Sequence, residues 1–321
     1  MQLSIIIPVY ISDIRSASRL KLTIEGFSLQ SVHKNKFEVI LVDDGSTLVV
    51  EQIIDEKIKQ LIDIKVIRQE HKGMCSAINH GASFAKGEYI LLGIDDNVPL
   101  SNTIEMFLNR VNFEDDKKVY MGQEWWLWHS YGMKDLITGE LFDELDKEQF
   151  IKQYSLSFRR FPKITSYHIH EQMSKLINLA KVPKDYQYIE DVLNNKREGN
   201  EELLWICTRI GALFMKKDTF FKIGKMDEQL DPYGWYADLE LGYRLLEQGY
   251  QLHMLPEVKF LHLPHYKSKE TMDAEFESFQ YFLNKYKSLD IALLPFYWTS
   301  SRDIEQFFDQ IKRVKINLQL V

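Results

Sequence analysis

Cysteine is nearly missing from this sequence, with only Cys75 and Cys207 in 321 residues. Two isolated thiols build neither a disulfide framework nor a Cys-x-x-Cys metal clip, and a reduced, cytoplasmic setting is the simplest reading. Long apolar runs are missing as well. No stretch approaches the ~18 uncharged apolar residues that cross a bilayer, so no transmembrane helix is expected. The first residues enter a strand pattern with no basic, apolar leader, which again suits the cytoplasm and leaves contact at a membrane surface open. Basic residues do not dominate: 40 Lys and Arg face 47 Asp and Glu, for a net charge of −7. A nucleic-acid partner would require a concentrated basic stripe, so none is expected. Glycine is absent from Ile11–Arg19. That removes the glycine-rich phosphate loop a sugar-phosphate nucleotidyltransferase would carry after its first strand. There are no internal repeats and no low-complexity linker, which favours one continuous globular unit. At 45% apolar content, a chain this long buries roughly 75% of its unfolded surface.

What the sequence does contain is a set of carboxylates where strands should end. Ser4–Tyr10 is an apolar run that stops at Pro8 and Tyr10. Val39–Val42 runs into Asp43-Asp44-Gly45-Ser46-Thr47, and Tyr89–Ile94 ends on Asp95-Asp96-Asn97. Continuous apolar runs suit strands buried on both faces of a parallel sheet. In open sheets of that kind ligands sit beyond the carboxyl ends of the strands. Acids gathered there would serve cations, ribose hydroxyls or ring N–H groups, and a nucleotide carrying a metal offers all three.

Strands and helices alternate through the first third. Apolar residues at Leu20, Ile24, Phe27 and Leu29 predict a helix, and Val49–Leu61 predicts another before a short strand at Ile64–Ile67. An Ala-rich helix over Met74–Lys86 then closes at Gly87. This βαβαβαβ order predicts a doubly wound α/β sheet. From Val119 the character changes. Gln123–His129 holds three of six tryptophans, and charged helical stretches follow near Asp143–Phe158 and Tyr167–Lys181. Ile206–Phe214 then reads as a strand, Lys216–Ile223 as a short helix, and Gly234–Gly249 as a turn followed by a helix. In the tail, Ile304, Phe307, Phe308, Ile311 and Val314 fall at amphipathic spacing, a face that could pair with a second copy of the chain.

At these residues the chain resembles glycosyltransferase family 2 with its GT-A fold. The resemblance rests first on Ser4–Tyr10, Val39–Thr47, Lys72-Gly73, Asn79-x-Gly81, Gly87-Glu88-Tyr89-Ile90 and Asp95-Asp96. Further on it rests on Gly211–Met215, Phe220–Glu228 and Gly234–Leu245, which are similar to the galactosyltransferase and chondroitin-polymerase type. In order, the matches run from about residue 3 to 265. They imply a nucleotide-sugar half over 1–118, an acceptor-binding half of the same domain over 119–265, and a C-terminal helical extension over 266–321.

The resemblance also implies roles. Pro8, Tyr10, Asp43 and Asp44 would hold the uridine, with Lys72, Asn79 and Asp95 as further donor contacts. Asp96 would bind Mn²⁺ or Mg²⁺ together with His262, and carboxylate plus imidazole suits Mn²⁺ better. Asp238 would be the general base, and Trp126, Trp235 and Tyr236 would line the acceptor. Each has a plainer use: Asp-Gly-Ser is a common turn and helix cap, a first-turn Asp favours the helix dipole, and tryptophans fill cores. Three departures stand out, because Ile94 and Ala237 occupy places where relatives carry carboxylates and Ile78 a place where many carry arginine. The reading is an inverting, metal-dependent transferase that moves a sugar from a UDP-sugar to a hydroxyl or thiol of a carbohydrate, peptide or small molecule. The alternatives are a sugar-nucleotide-binding protein without turnover and a nucleotidyltransferase.

Overall fold

The computed structural model describes residues 1–13, 17–112, 114–193, 201–231, 234–266, 274–299 and 303–318. Ten strands lie among them: β1 (Leu3–Val9), β2 (Phe37–Asp44), β3 (Asp63–Gln69), β4 (Tyr89–Leu92), β5 (Asn97–Pro99), β6 (Lys118–Trp126), β7 (Met133–Asp135), β8 (Glu140–Leu141), β9 (Leu213–Lys216) and β10 (Gln251–His262). Eight of them form one sheet in the order β3-β2-β1-β4-β9-β6-β10-β5, while β7 and β8 pair separately. The first four are parallel, as the alternating pattern predicts. Beyond β4 the sheet becomes mixed: β9 runs antiparallel to both β4 and β6, β10 runs parallel to β6, and β5 runs antiparallel to β10.

The apolar runs explain the layers. Side chains alternate across a strand, so Ile5, Ile7, Val39 and Leu41 face one way and Ile6, Ile40 and Val42 the other. The first set packs with Leu20, Ile24 and Phe27 of the Ala17–Ser28 helix and with Ile104 and Phe107 of the Thr103–Arg110 helix. The second packs with Ala77, Ile78 and Ala82 of the Met74–Ser83 helix. Burial on both faces is why these strands read as unbroken apolar runs.

Strands from 1–118 and 119–265 interleave. After β4 the chain crosses the amino end of β9 and the carboxyl ends of β6 and β10 and reaches the far edge as β5. Gly93 N–H donates to Ile6 O, Gly211 N–H to Leu92 O, and Leu263 N–H to Asp96 O along this crossing. Asp95 and Asp96 therefore lie on a bridge over the strand ends. In β10 the pairing with β6 slips between Leu255 and Lys259. Pro256 falls inside that slip, where a missing N–H is tolerated.

Three expectations need correction. Ile206–Phe214 is not one strand: Glu201–Cys207 is a 3₁₀ turn and the strand begins only at Leu213. Val49–Leu61 is not one helix but a 3₁₀ turn at Val50–Gln52 and a helix at Glu56–Leu61, which Asp55 caps. The Asx cap pulls the backbone out of the helix there. The apolar face of the last helix, Ile304–Asn317, is also not free for a second copy. Ile304, Phe307, Phe308 and Ile311 are buried in the main core with Phe282, Ile291 and Tyr297. No helix among the described residues is long and apolar enough to cross a membrane.

Candidate active site

At the β1–β2–β3 end, register aligns Val9 with Asp43 and Asp43 with Arg68. Asp43 is buried, accepts from Ser46 N–H at 2.8 Å and pairs with Arg68 Nη1 at 2.9 Å. Asp44 is buried beside it. One of its oxygens accepts from Gln69 Nε2 and Lys72 N, and the other from Gly73 N and His71 Nδ1, at 2.8–2.9 Å. Those four bonds use all four lone-pair directions of a carboxylate. Asp44 thus fastens the loop that leads into the 74–83 helix. Tyr10 is half exposed and lies over the His71 ring at 4.5 Å between centroids. Together they present an aromatic surface at the mouth of the β1–β2 crevice. Pro8 pairs with Val42 inside the sheet, and the Lys72 side chain is exposed.

The crossing bridge brings the second group together. Asn97 is in register with His262, so Asp96 falls beside the end of β10. Its Oδ1 is 3.5 Å from His262 Nδ1, and both residues are buried. The imidazole packs on Trp126 at 4.6 Å, and Trp126 on Trp128 at 4.8 Å. Burial and the Asp96 charge push the Asp95 carboxyl above its usual range, against the pull of Arg19. Arg19 is itself buried, and its guanidinium donates to the carbonyls of Ser130, Met133, Leu263 and Pro264. Among the described residues no group of three or more His, Cys, Asp or Glu side chains is arranged to hold a metal ion. Asp96 and His262 supply one carboxylate and one imidazole, the two side chains here that could hold a divalent metal ion.

The third group surrounds the Ala237–Glu247 helix. Asp238 is half-buried in its first turn, and its Oδ1 accepts from Leu239 N–H at 2.9 Å. Trp235 is half-buried, but Tyr236 is not an open acceptor surface. Its backbone is left-handed, with φ 64°, and its ring is buried against Phe279, Phe282 and Trp298. Ala237 is buried in the same core, and Ile94 lies against Gly211. Asn79 is also turned away from the strand ends. Its amide donates to Met226 O and Glu228 Oε1 and accepts from Met226 N.

The residue sequence reasoning missed is Glu124 in β6. It is buried and accepts from Asn97 Nδ2 at 3.2 Å. Burial pushes its carboxyl up to about 8; Arg209 opposes the shift, while the charges of Asp96 and Asp238 add to it. Glu124 therefore feels both the candidate metal ligand and the candidate base. Gly211, at φ 117°, leaves the room: a Cβ there would lie 2.6 Å from Glu124 Oε1. The signal was a carboxylate within the buried core of β6, between Gln123 and the tryptophans Trp125 and Trp126. Arg19 gave no such sign, because a lone arginine in an amphipathic helix reads as solvated.

Comparison with known proteins bears on the family and the fold. The chain is 33% identical over 146 residues to glycosyltransferase GlyG of Streptococcus pneumoniae, covering 44% of this chain and 45% of that one. It is 26% identical over 249 residues to chondroitin synthase of Escherichia coli, covering 77% of this chain and 32% of the synthase. The chain thus spans less than half the length of these curated relatives. Among solved structures, S. aureus TarS 1-349 in complex with UDP-GlcNAc shares the fold at a TM-score of 0.53 and 14% identity, over 88% of this chain and 65% of that one. The GT-A fold expected from the sequence is the fold observed. The sequence pattern of the family described as glycosyl transferase family 2 matches residues 4–174, more than half of the 321, and the chain belongs to that family.

Proposed function

We propose that the protein is an inverting, metal-dependent glycosyltransferase that moves a sugar from a UDP-sugar to an acceptor hydroxyl or thiol. The observation that carries this reading is the approach of Asp96 to His262, 3.5 Å apart at the end of β10. A bound Mn²⁺ would neutralise the donor diphosphate as the glycosidic bond breaks. Tyr10 and His71 offer the nucleobase a ring surface, and buried Asp43 fixes the crevice behind it. A uridine donor is also supported by TarS, a protein of the same fold crystallised with UDP-GlcNAc. Asp238 accepts the proton of the acceptor, whose oxygen or sulfur then forms the new bond to the anomeric carbon as the bond to UDP breaks. One displacement inverts the centre, so an α-linked donor gives a β-linked product. Trp126 and Trp128 give the sugar an aromatic shelf next to His262.

The test is a panel of nucleotides and UDP-sugars with Mn²⁺, followed by thermal shift and then by transfer. A ligand at 100-fold its Kd adds about 2.7 kcal/mol of stability. UDP should stabilise the protein well beyond ADP and GDP, and transfer should stop in EDTA and return with Mn²⁺. Equal stabilisation by the three diphosphates, or full turnover in EDTA, overturns the reading. Ile94 and Ala237 favour a second reading, a sugar-nucleotide-binding protein without turnover. Release of UDP from a UDP-sugar separates the two.

A further inference from the structure

The 74–83 helix begins without a cap of its own. Its N-cap is Gly73, at φ 114°, which has no side chain to satisfy the first N–H groups. The cap comes instead from Asp231, more than 150 residues later in the chain. One Asp231 oxygen accepts from Cys75 N–H at 2.6 Å and the other from Ser76 N–H at 2.8 Å. These are the second and third residues of the helix, where a local Asp or Ser cap would ordinarily place its oxygen. Glycine at 73 is what lets the distant carboxylate in, since a Cβ there would lie 2.6 Å from the Asp231 side chain.

Two neighbouring features make this more than a cap. On the nucleotide side, Lys72 and Gly73 are held by Asp44 through their own N–H groups. On the acceptor side, Asn79 binds Met226 and Glu228, and Gly234 N–H donates to Leu230 O. The turn that follows is also held from the opposite flank, where Ser278 donates to Trp235 O and Tyr236 to Glu275. The backbone that presents Asp238 is thus clamped between the 74–83 helix and the Glu275–Tyr286 helix.

We propose that Asp231 is a positioning residue for the Asp238 base: by capping the 74–83 helix in place of Gly73, it ties the base-bearing turn to the nucleotide side. The assignment rests on the reading of Asp238 as the base. Without the Asp231 bonds the turn keeps its C-terminal anchor and the Asn79 bonds further back at Met226 and Glu228, but its register against the donor loosens.

Asp231→Asn and Asp231→Ala test this in the full chain. Asparagine keeps the shape and one accepting oxygen, whereas alanine keeps neither. Misplacing a catalytic group by about 1 Å lowers the rate ~10²-fold, so kcat should fall about 10-fold in Asn and ~100-fold in Ala, with donor KM within ~2-fold of wild type. Hydrogen exchange of residues 234–240 should quicken in both variants while β1 and β2 keep wild-type protection. Unchanged exchange at 234–240 overturns the proposal, as does a rise in donor KM with kcat retained. A merely structural role would speed exchange in β1 and β2 as well, and that result also overturns it. If alanine does not fold, the asparagine variant decides. If the wild-type protein transfers no sugar, the functional reading fails, and the exchange comparison still decides whether Asp231 holds the turn.

Discussion

Asp44 and Glu124 are both buried carboxylates close to the sheet's working edge, and their surroundings are opposite. Asp44 accepts four hydrogen bonds from the end of β3 and the loop that follows it, two of them from main-chain N–H groups. Glu124 is lifted to about 8 chiefly by burial, with Arg209 opposing the shift and the charges of Asp96 and Asp238 adding to it. Satisfied carboxylates hold structure, while buried carboxylates that face one another raise each other's proton affinity. The β1–β3 end is thus a finished scaffold of strand ends and anchored loops. The β6–β10 end gathers several carboxylates whose charge Arg19 and Arg209 only partly oppose.

The sharpest way to break this contrast is at the reactive end. Asp238→Asn keeps size and hydrogen-bonding shape but cannot take a proton, so turnover should fall about 10² to 10⁴-fold. UDP-sugar binding, read by calorimetry, should stay near wild type. Near-normal turnover would move the base elsewhere.

A smaller effect tests the scaffold end. Asp44→Ala leaves the Lys72 and Gly73 N–H groups without their acceptor, and two unsatisfied donors at a partly buried site should cost roughly 3 kcal/mol. The urea midpoint of unfolding measures it. A variant as stable as wild type that has lost only UDP affinity would assign Asp44 to binding and dissolve the contrast.

The smallest effect is a slope with pH. Glu124 titrates higher folded than unfolded, so its contribution is present at low pH and is lost as pH rises from the ordinary carboxylate range through about 8. Glu124 alone should therefore lower wild-type stability by about 2 kcal/mol between pH 6 and pH 8, and Glu124→Gln should flatten that slope, leaving only the smaller part that the raised Asp95 carboxyl contributes. Thermal unfolding across that window checks it. A wild-type protein that gains stability over the same range would reverse the assignment.

Much of this was legible in the residues. The parallel strands could be read because burial on both faces forces continuous apolar runs, and their ends could be read because acids follow them. The mixed half was harder. A four-residue strand such as β9 has no period to detect, and its place between β4 and β6 depends on partners far away in sequence. The pairing of Asp96 with His262 was foreseen through resemblance, and the crossing bridge supplies its physical cause. Asn79 and Tyr236 misled for one reason: residue type suggests what a side chain can bond, but not which way the backbone turns it. Tyr236 faces the core because its φ is positive.

The position of β9 also has a consequence in time. β4 is wholly buried, and one of its two edges is closed only by Leu213–Lys216, about 120 residues further along. At about 5–20 residues per second of synthesis, that edge stays open for roughly 6 to 24 s on the ribosome. Tyr89–Leu92 is then an apolar strand with unpaired N–H and C=O groups, a template for pairing with another chain. A longer delay holds for Arg19, whose carbonyl partners at Leu263 and Pro264 are made later still. Nascent chains cut between residues 120 and 210 should therefore aggregate or recruit chaperones, and the first length that escapes should be the one that has released β9.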